Sequence, residues 1–400
     1  MSSPGQDPRG AGSGSEPSPQ PHALLWHDTG GDPAGALAGL RVADFSRVLA
    51  GPYASMMLGD LGADVVKVER PPYGDDTRAW APPHAPDGTA TYFQSVNRNK
   101  RTAWLDLTDR ADRAAALGLA TSADVLIENF APGTMARFGL DFASVSAANP
   151  RIVYASITGF GAGPGAGMPG YDLLVQAMGG LMSITGPSPD QPSKVGVALV
   201  DVITGLHATV GILAALAERA GSGRGQHVEV NLLSSTLSAL VNQAQGVLTG
   251  GHMPRAMGNA HPSIAPYETL PTGDGTLALA VGNDRQFASL CAVLGLHLAD
   301  DPDFATNPAR VAHRASLIPT LAAVLRTQPT SHWVAALRAA GVPAGPVNDI
   351  AGALALATEL GLDPVALSDG VPGVANPITL SRTPVGYRLA PPASRPGGGP

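Results

Sequence analysis

Residues 40–69 constrain the fold more than any other stretch. LRVADF reads as a buried strand, SRVLAGP as a turn, YASMMLGDLG as a helix and ADVVKVE as a second strand. Two strands joined through a helix form a crossover unit, which calls for a parallel sheet covered by helices. Further strand candidates at TAWLDL, ADVLIENF and RIVYASI keep the rhythm, so the N-terminal half is expected to be α/β. After HVEVNLL and a helix from about Ser234 the pattern changes. Asp274-Gly275 signals a tight turn before TLALAVG, and helices dominate from Asp284 to Ala340, as in a smaller α+β domain. GVPAGPVNDI and NPITLSRTPVG return to strand-and-turn character.

The expected organisation is a disordered N-terminal extension over residues 1–36, a large domain over 37–230 and a linker helix with the small domain over 231–340. A C-terminal segment, 341–390, returns to the large domain, and 391–400 form a disordered tail. The extension contains MSSPGQDPRGAGSGSEPSPQPH, without the basic start and apolar core of a signal peptide. Hydrophobic residues at 44% and charged residues at 14% exclude disorder of the whole chain. A net charge of −7 argues against general nucleic-acid binding, yet leaves room for a local basic pocket that holds an anionic molecule. The lone cysteine, Cys291, cannot form an intramolecular bridge. Apolar stretches are interrupted by Gly, His or charge before the roughly 20 residues of a membrane span. A cytoplasmic location without membrane contact is the expectation.

Several chemistries fall away by motif. The turn after the first strand is LAGPYAS and lacks the G-x-G-x-x-G spacing that brings a backbone close to a pyrophosphate, which speaks against NAD. No phosphate-binding G-x-x-x-x-G-K-[ST], no H-E-x-x-H, no G-x-S-x-G and no thiolate cluster is present. No metal site is expected.

GVALVDVITGLHATVGILAAL, residues 196–216, holds one acidic side chain, Asp201. An isolated buried carboxylate is costly, so its place needs a reason. One reading is an N-cap for a helix running to a stop at Gly221. The other is a nucleophile, and the two are compatible, because a helix dipole would keep the carboxylate ionised at neutral pH.

RVLAGPYASMMLGDLGADVVKVERP, SVNRNKR, ADVLIENFAPG, SITGFGAGPGA, GYDLLVQAMGGLM, ALVDVITG and GNAHPSIAPY occur in order. Together they resemble the class III CoA-transferases, the family of formyl-CoA and carnitine CoA-transferases, over about residues 37–388. VNRNK, GLMSITGP, VNLLSS and GVPAGPVND are similar to the succinyl-CoA:glutarate (hydroxymethylglutarate) subgroup. The resemblance implies a Rossmann-like large domain and a smaller α+β domain in an interlocked homodimer. It implies CoA thioesters as substrates, with no permanently bound cofactor. ALVD-VITG, taken as an apolar strand and a glycine-containing turn, implies Asp201 as the nucleophile that forms aspartyl anhydride and aspartyl-CoA thioester intermediates.

By the same resemblance Arg70 and Arg137 hold the nucleotide end of CoA, with Leu105, Asn129, Phe130 and Thr134 lining it. Leu49 stands where formyl-CoA transferase has a glutamine near the thioester, which disfavours formate and oxalate. Pro169 falls where that enzyme has a lysine. The chain ending in GGGP lacks the family's usual glycine-histidine segment. His261 and the turn at Gly258 resemble the small-domain loop that approaches the active site, and Arg255 could pair with the far carboxylate of a dicarboxylate. Two rival readings remain: an α-methylacyl-CoA racemase-type isomerase and a non-catalytic CoA-binding protein. Against the racemase, its Gly-His-Asp is here Gly170-Tyr171-Asp172, and Tyr171 is a poor base at neutral pH.

Overall fold

A computed structural model describes Met1, Trp26 and residues 35–251 and 253–395. Arg41–Asp44 (β1), Asp64–Glu69 (β2), Lys100–Trp104 (β3), Val125–Glu128 (β4), Val153–Thr158 (β5) and His227–Asn231 (β6) form one sheet in the order β3-β2-β1-β4-β5-β6. Every pairing in it is parallel, which is the doubly wound order whose direction reverses between β1 and β4.

Both faces of this sheet are buried, which is why its strands read as almost unbroken apolar runs. Ala43, Val66 and Leu126 turn to one face, where the Arg110–Ser122 helix packs. Val42, Val65 and Val125 turn to the other, against the Ala50–Asp60 and Leu199–Ser222 helices. Gly205 permits the close crossing of those two helices, since a Cβ there would lie 2.6 Å from the Ala50 carbonyl oxygen. Strand β3 begins before TAWLDL, at Lys100, whose buried Nζ donates to Asn97 Oδ1 at 2.9 Å and to the Pro52 carbonyl at 2.8 Å. Its charge disguised a strand position as loop.

The Leu199–Ser222 helix differs from the expectation in three ways. It ends one residue beyond Gly221, at Ser222, with Gly223 as its C-cap in the left-handed region. No strand precedes Asp201, and VITG is helix instead of turn. Its glycines and histidine do not interrupt it, so by length and a mean hydropathy of 1.8 it is apolar enough to cross a membrane. Val200, Ala208, Ile212 and Ala215 nevertheless sit in the core of the large sheet, which accounts for the apolar stripe.

Tyr267–Pro271 (β7), Thr276–Ala280 (β8) and Ala344–Pro346 (β9) form a separate antiparallel sheet over Leu277, Leu279, Phe287, Leu317 and Trp333. Residues 344–346 were expected in the segment returning to the large domain, yet β9 is an edge of the small sheet. The return comes later. Arg98 donates to the Val374 carbonyl at 2.7 Å, Asn376 to Asp60 at 3.0 Å, and Arg388 to the Ala63 carbonyl at 2.8 Å. Upstream, Asn231 caps the Leu232–Ala239 helix through Ser234 N–H, so this helix starts before Ser234.

Most of the 1–36 segment lies outside the described residues, but Trp26 does not fit a segment without packing. It is 7% exposed, its Nε1 donates to Ser122 Oγ at 2.9 Å, and the Arg41 guanidinium lies 5.6 Å from its ring centre. In the tail, residues 391–395 are described, and Arg78 donates to the Pro392 carbonyl at 3.1 Å, so this part is tied down. Residues 396–400 lie outside the described residues.

Candidate active site

The carboxyl ends of β1 to β4 surround a cavity of about 560 Å³, at the reversal of strand order where doubly wound sheets bind ligands. Arg70, Leu105 and Phe130 line it, together with Arg47, Tyr73 and Phe138. The Arg47 guanidinium lies 5.2 Å from the centre of the Phe130 ring, a cation over an aromatic face. Asn129 does not line the cavity. Its Oδ1 accepts from Arg47 N–H at 2.8 Å and its Nδ2 donates to the Arg47 carbonyl at 2.7 Å, so it fixes the turn that carries Arg47. Thr134 and Arg137 share the short Thr134–Arg137 helix beyond Phe130, where Arg137 is exposed and donates to Thr134 Oγ1 at 3.2 Å. Arg70 is exposed as well. The lining also carries Glu69, Asp75, Asp76 and Asp106, and Arg47 lies 3.3 Å from Asp76, while Arg47 and Arg70 with the apolar walls of Leu105, Phe130 and Phe138 suit a phosphate-bearing nucleotide.

Asp201 lies in the first turn of its helix but does not cap it. The N-cap is Ala198, which makes no side-chain bond. Asp172, first residue of the Asp172–Met178 helix, serves instead: its Oδ1 accepts from Val200 N–H at 2.9 Å and from Asp201 N–H at 3.4 Å. Gln176 Nε2 donates to the other oxygen of Asp172 at 2.6 Å. Among the described residues the Asp201 carboxylate has no hydrogen-bond partner of its own.

The expectation that the helix dipole keeps Asp201 ionised at neutral pH holds only in part, because its carboxyl titrates close to pH 7. Burial, and secondarily the charge of Asp172, push its pKa up to about 7. Its neighbours along the helix, Ala198 and Val202, pack with Leu49, Met56, Val96, Tyr53 and Tyr92. Tyr92 is pushed up to about 12 by burial and by the charges of Asp201, Asp172 and Asp75, so its phenol stays a donor in the midst of carboxylates.

The cavity and Asp201 share no lining residue; the segment 46–49 joins them. Arg47 lines the cavity, while Leu49 is buried in the cluster beside Asp201. Gly51 makes this turn possible, because a Cβ there would fall 2.2 Å from Ser46 Cβ. That is the work of the glycine in LAGP. Tyr171 is 61% exposed and immediately precedes Asp172, and Pro169 is exposed nearby.

No described bond ties Arg255 or His261 to either half of the site. Arg255 is exposed. His261 Nδ1 accepts from Ser263 N–H at 3.1 Å, its ring lies 5.3 Å from Tyr267, and Arg314 donates to its carbonyl at 2.5 Å. The loop is therefore held within the small domain. Reading the sequence missed Arg47, Tyr92, Lys67 and Asp75, and passed over Asp172 as a cap. Lys67 had a visible signal, a lysine set between valines in the strand DVVKVE; the others are ordinary residues until the fold brings them together.

Comparison with known proteins shows the family. A family model described as CoA-transferase family III matches residues 37–395. The chain is 45% identical over 364 residues to the succinate–glutarate CoA-transferase of Agrobacterium fabrum, covering 88% of this chain and 91% of that protein. It is 40% identical over 352 residues to the acetyl-CoA:oxalate CoA-transferase of Acetobacter aceti, covering 87% and 90%. The crystal structure of a CaiB/BaiF family protein from Brucella suis superposes with a TM-score of 0.83 at 42% identity, over 91% of this chain and 98% of that one. The chain belongs to CoA-transferase family III.

Proposed function

We propose that this enzyme moves CoA from an acyl-CoA, with succinyl-CoA as donor, to a dicarboxylic acid such as glutarate, and that Asp201 is the nucleophile. The observation that carries this reading is the unpartnered Asp201 carboxylate in an apolar setting. A carboxylate that spends no lone pair on a neighbour is free to attack. The succinate–glutarate relative supports the choice of acids.

In the reaction an Asp201 oxygen attacks the thioester carbonyl, CoA thiolate leaves, and an acyl-aspartyl anhydride remains. The thiolate then attacks the aspartyl carbonyl, which gives an aspartyl-CoA thioester and frees the donor acid. The acceptor carboxylate displaces the thiolate to form a second anhydride. CoA attacks the acceptor's acyl carbon, and Asp201 is regenerated. Water would hydrolyse each intermediate, so the apolar wall of Leu49, Met56, Ala198 and Val202 protects them. A hydrogen bond from Tyr92 suits the carbonyl oxygen that gains charge in each addition.

Arg70, Arg137 and Arg47 take the phosphates and adenine of CoA, with Phe130 and Leu105 as apolar surfaces. Leu49 favours acyl groups with methylenes beside the carbonyl over formate and oxalate. A second copy of the chain completes the molecule in an interlocked homodimer. The exposed apolar side chains Val197, Leu206, Val210, Leu237, Val241 and Leu248 support such a pairing.

The test is to incubate the protein with succinyl-CoA and glutarate, follow glutaryl-CoA by mass spectrometry, and trap the intermediates with hydroxylamine. Modification of Asp201 is the expected result. An enzyme that produces glutaryl-CoA without any adduct at Asp201 would overturn the mechanism. Uptake of α-deuterium by a 2-methylacyl-CoA without movement of CoA would favour an isomerase.

A further inference from the structure

The turn after β1 is held at successive backbone groups by side chains from β2 and from the loops that follow β2 and β4. Lys67 of β2 donates its Nζ to the Ser46 carbonyl at 2.9 Å. Asn129 takes both polar groups of Arg47. Val48 N–H donates to the two oxygens of Asp75 at 3.3 and 3.2 Å. The ring closes because Lys67 Nζ lies 2.8 Å from Asp75 Oδ2, with both side chains fully excluded from water.

Val48 has φ +69°, in the left-handed region. A β-branched residue persists there only when its surroundings outweigh the steric cost. The bond to Asp75 is what opposes relaxation, and the sharp turn lets the flanking residues serve different places. Arg47 reaches the cavity, and Leu49 enters the cluster beside Asp201.

We propose that Asp75, braced by Lys67, is a positioning residue that holds Val48 left-handed and so keeps Arg47 in the CoA cavity and Leu49 beside the nucleophile in one fixed register. This rests on the reading that the cavity takes CoA and that Asp201 attacks the thioester. Asp75 and Lys67 also border the cavity, but their paired side chains are wholly excluded from solvent, so Asp75 acts through the turn. Burial alone would raise its pKa, but the charge and hydrogen bond of Lys67 outweigh burial and hold it at about 2, so it is a carboxylate at any working pH. Thr77 N–H and Oγ1, at 3.0 and 2.8 Å from Oδ1, fix its orientation.

The test compares wild type, Asp75→Asn and Asp75→Asn/Val48→Gly in steady-state kinetics with succinyl-CoA and glutarate. Glycine adopts positive φ without steric cost, so it removes the need for the Asp75 grip. Misplacement by about 1 Å can cost up to about 100-fold in rate. We expect Asp75→Asn to lower kcat by about 10-fold to 100-fold and to raise the KM for acyl-CoA several-fold, with both partly restored by Val48→Gly.

A residue that merely stabilised the fold would reduce the fraction of active molecules and leave the KM of the survivors unchanged, with no rescue by glycine. Either of those results overturns the proposal. Should Asp75→Asn not fold, Asp75→Glu decides, because it keeps a charge beside Lys67 while displacing the oxygens from Val48 N–H. The paired change in kcat and KM supports the proposal, and wild-type values refute it. A wild-type enzyme that transfers no CoA would refute the function, whereas active wild type with indistinguishable Asp75 variants would refute only the positioning role.

Discussion

Asp172 caps the helix that carries Asp201, with its Oδ1 2.9 Å from Val200 N and 3.4 Å from Asp201 N. The helix terminus is thereby satisfied by a carboxylate other than the proposed nucleophile. Asp201 is left with an unfavourable environment for charge: burial first, and a like charge second. A nucleophile whose ionised form is disfavoured loses less when it bonds covalently than one held by hydrogen bonds.

That arrangement predicts a pH dependence. In the proposed mechanism the attacking form is the carboxylate, with a pKa of about 7, so kcat/KM for acyl-CoA should fall tenfold per unit as pH drops below about 7. Asp172→Asn keeps an oxygen for the cap but removes the like charge. The inflection should then move to lower pH, because less opposes ionisation of Asp201. A pH–rate profile of both proteins checks the sign.

Asp201→Asn should abolish transfer, by on the order of 10³-fold or more, while CoA binding remains. It should also stabilise the fold. The folded-state pKa of Asp201 lies above the ordinary aspartate value of 3.8, so in wild type its ionisation penalises the folded state increasingly from about pH 4 to about pH 7, and fully above that. The gain in melting temperature should therefore be larger at pH 8 than at pH 5, measured by calorimetry.

Arg70→Ala should raise the KM for acyl-CoA by about tenfold with a smaller change in kcat, because a contact remote from the thioester is present in ground and transition states alike. Arg137→Ala should act in the same direction but less, since Arg137 stands on the short helix beyond the cavity lining. Equal KM values in all three proteins would remove both residues from the CoA site.

Trp26→Ala should cost about 2–4 kcal/mol of stability, through lost burial and the lost bond to Ser122. It should leave kcat near the wild-type value. Trp26 packs by Arg41, at the amino end of β1, whereas the site lies at the carboxyl ends. Denaturant melts and initial rates test the two halves separately. Deleting residues 1–35, which as a disordered extension would be expected to leave activity intact, should lower stability by a similar amount.

What the sequence determined by itself was local or periodic. The crossover unit from β1 to β2 was legible because strand, turn and helix each follow from neighbouring side chains. The ordered motifs around LAGP, NFAPG and LVDVITG marked out Asp201, Arg70 and Phe130. What only the tertiary structure decided involved groups distant along the chain. Asp172 displaced Asp201 as the helix cap, and its charge joined burial in turning a carboxylate expected to be ionised into one that titrates near neutrality. Nothing in the sequence paired Lys67 with Asp75 until the fold closed them into one buried ring around Val48. β9 joined the small sheet because β8 offered it an open edge. Hydrogen-bond partners, burial and the field at a carboxyl group are properties of positions in space, and the chain order leaves them open until the core has packed.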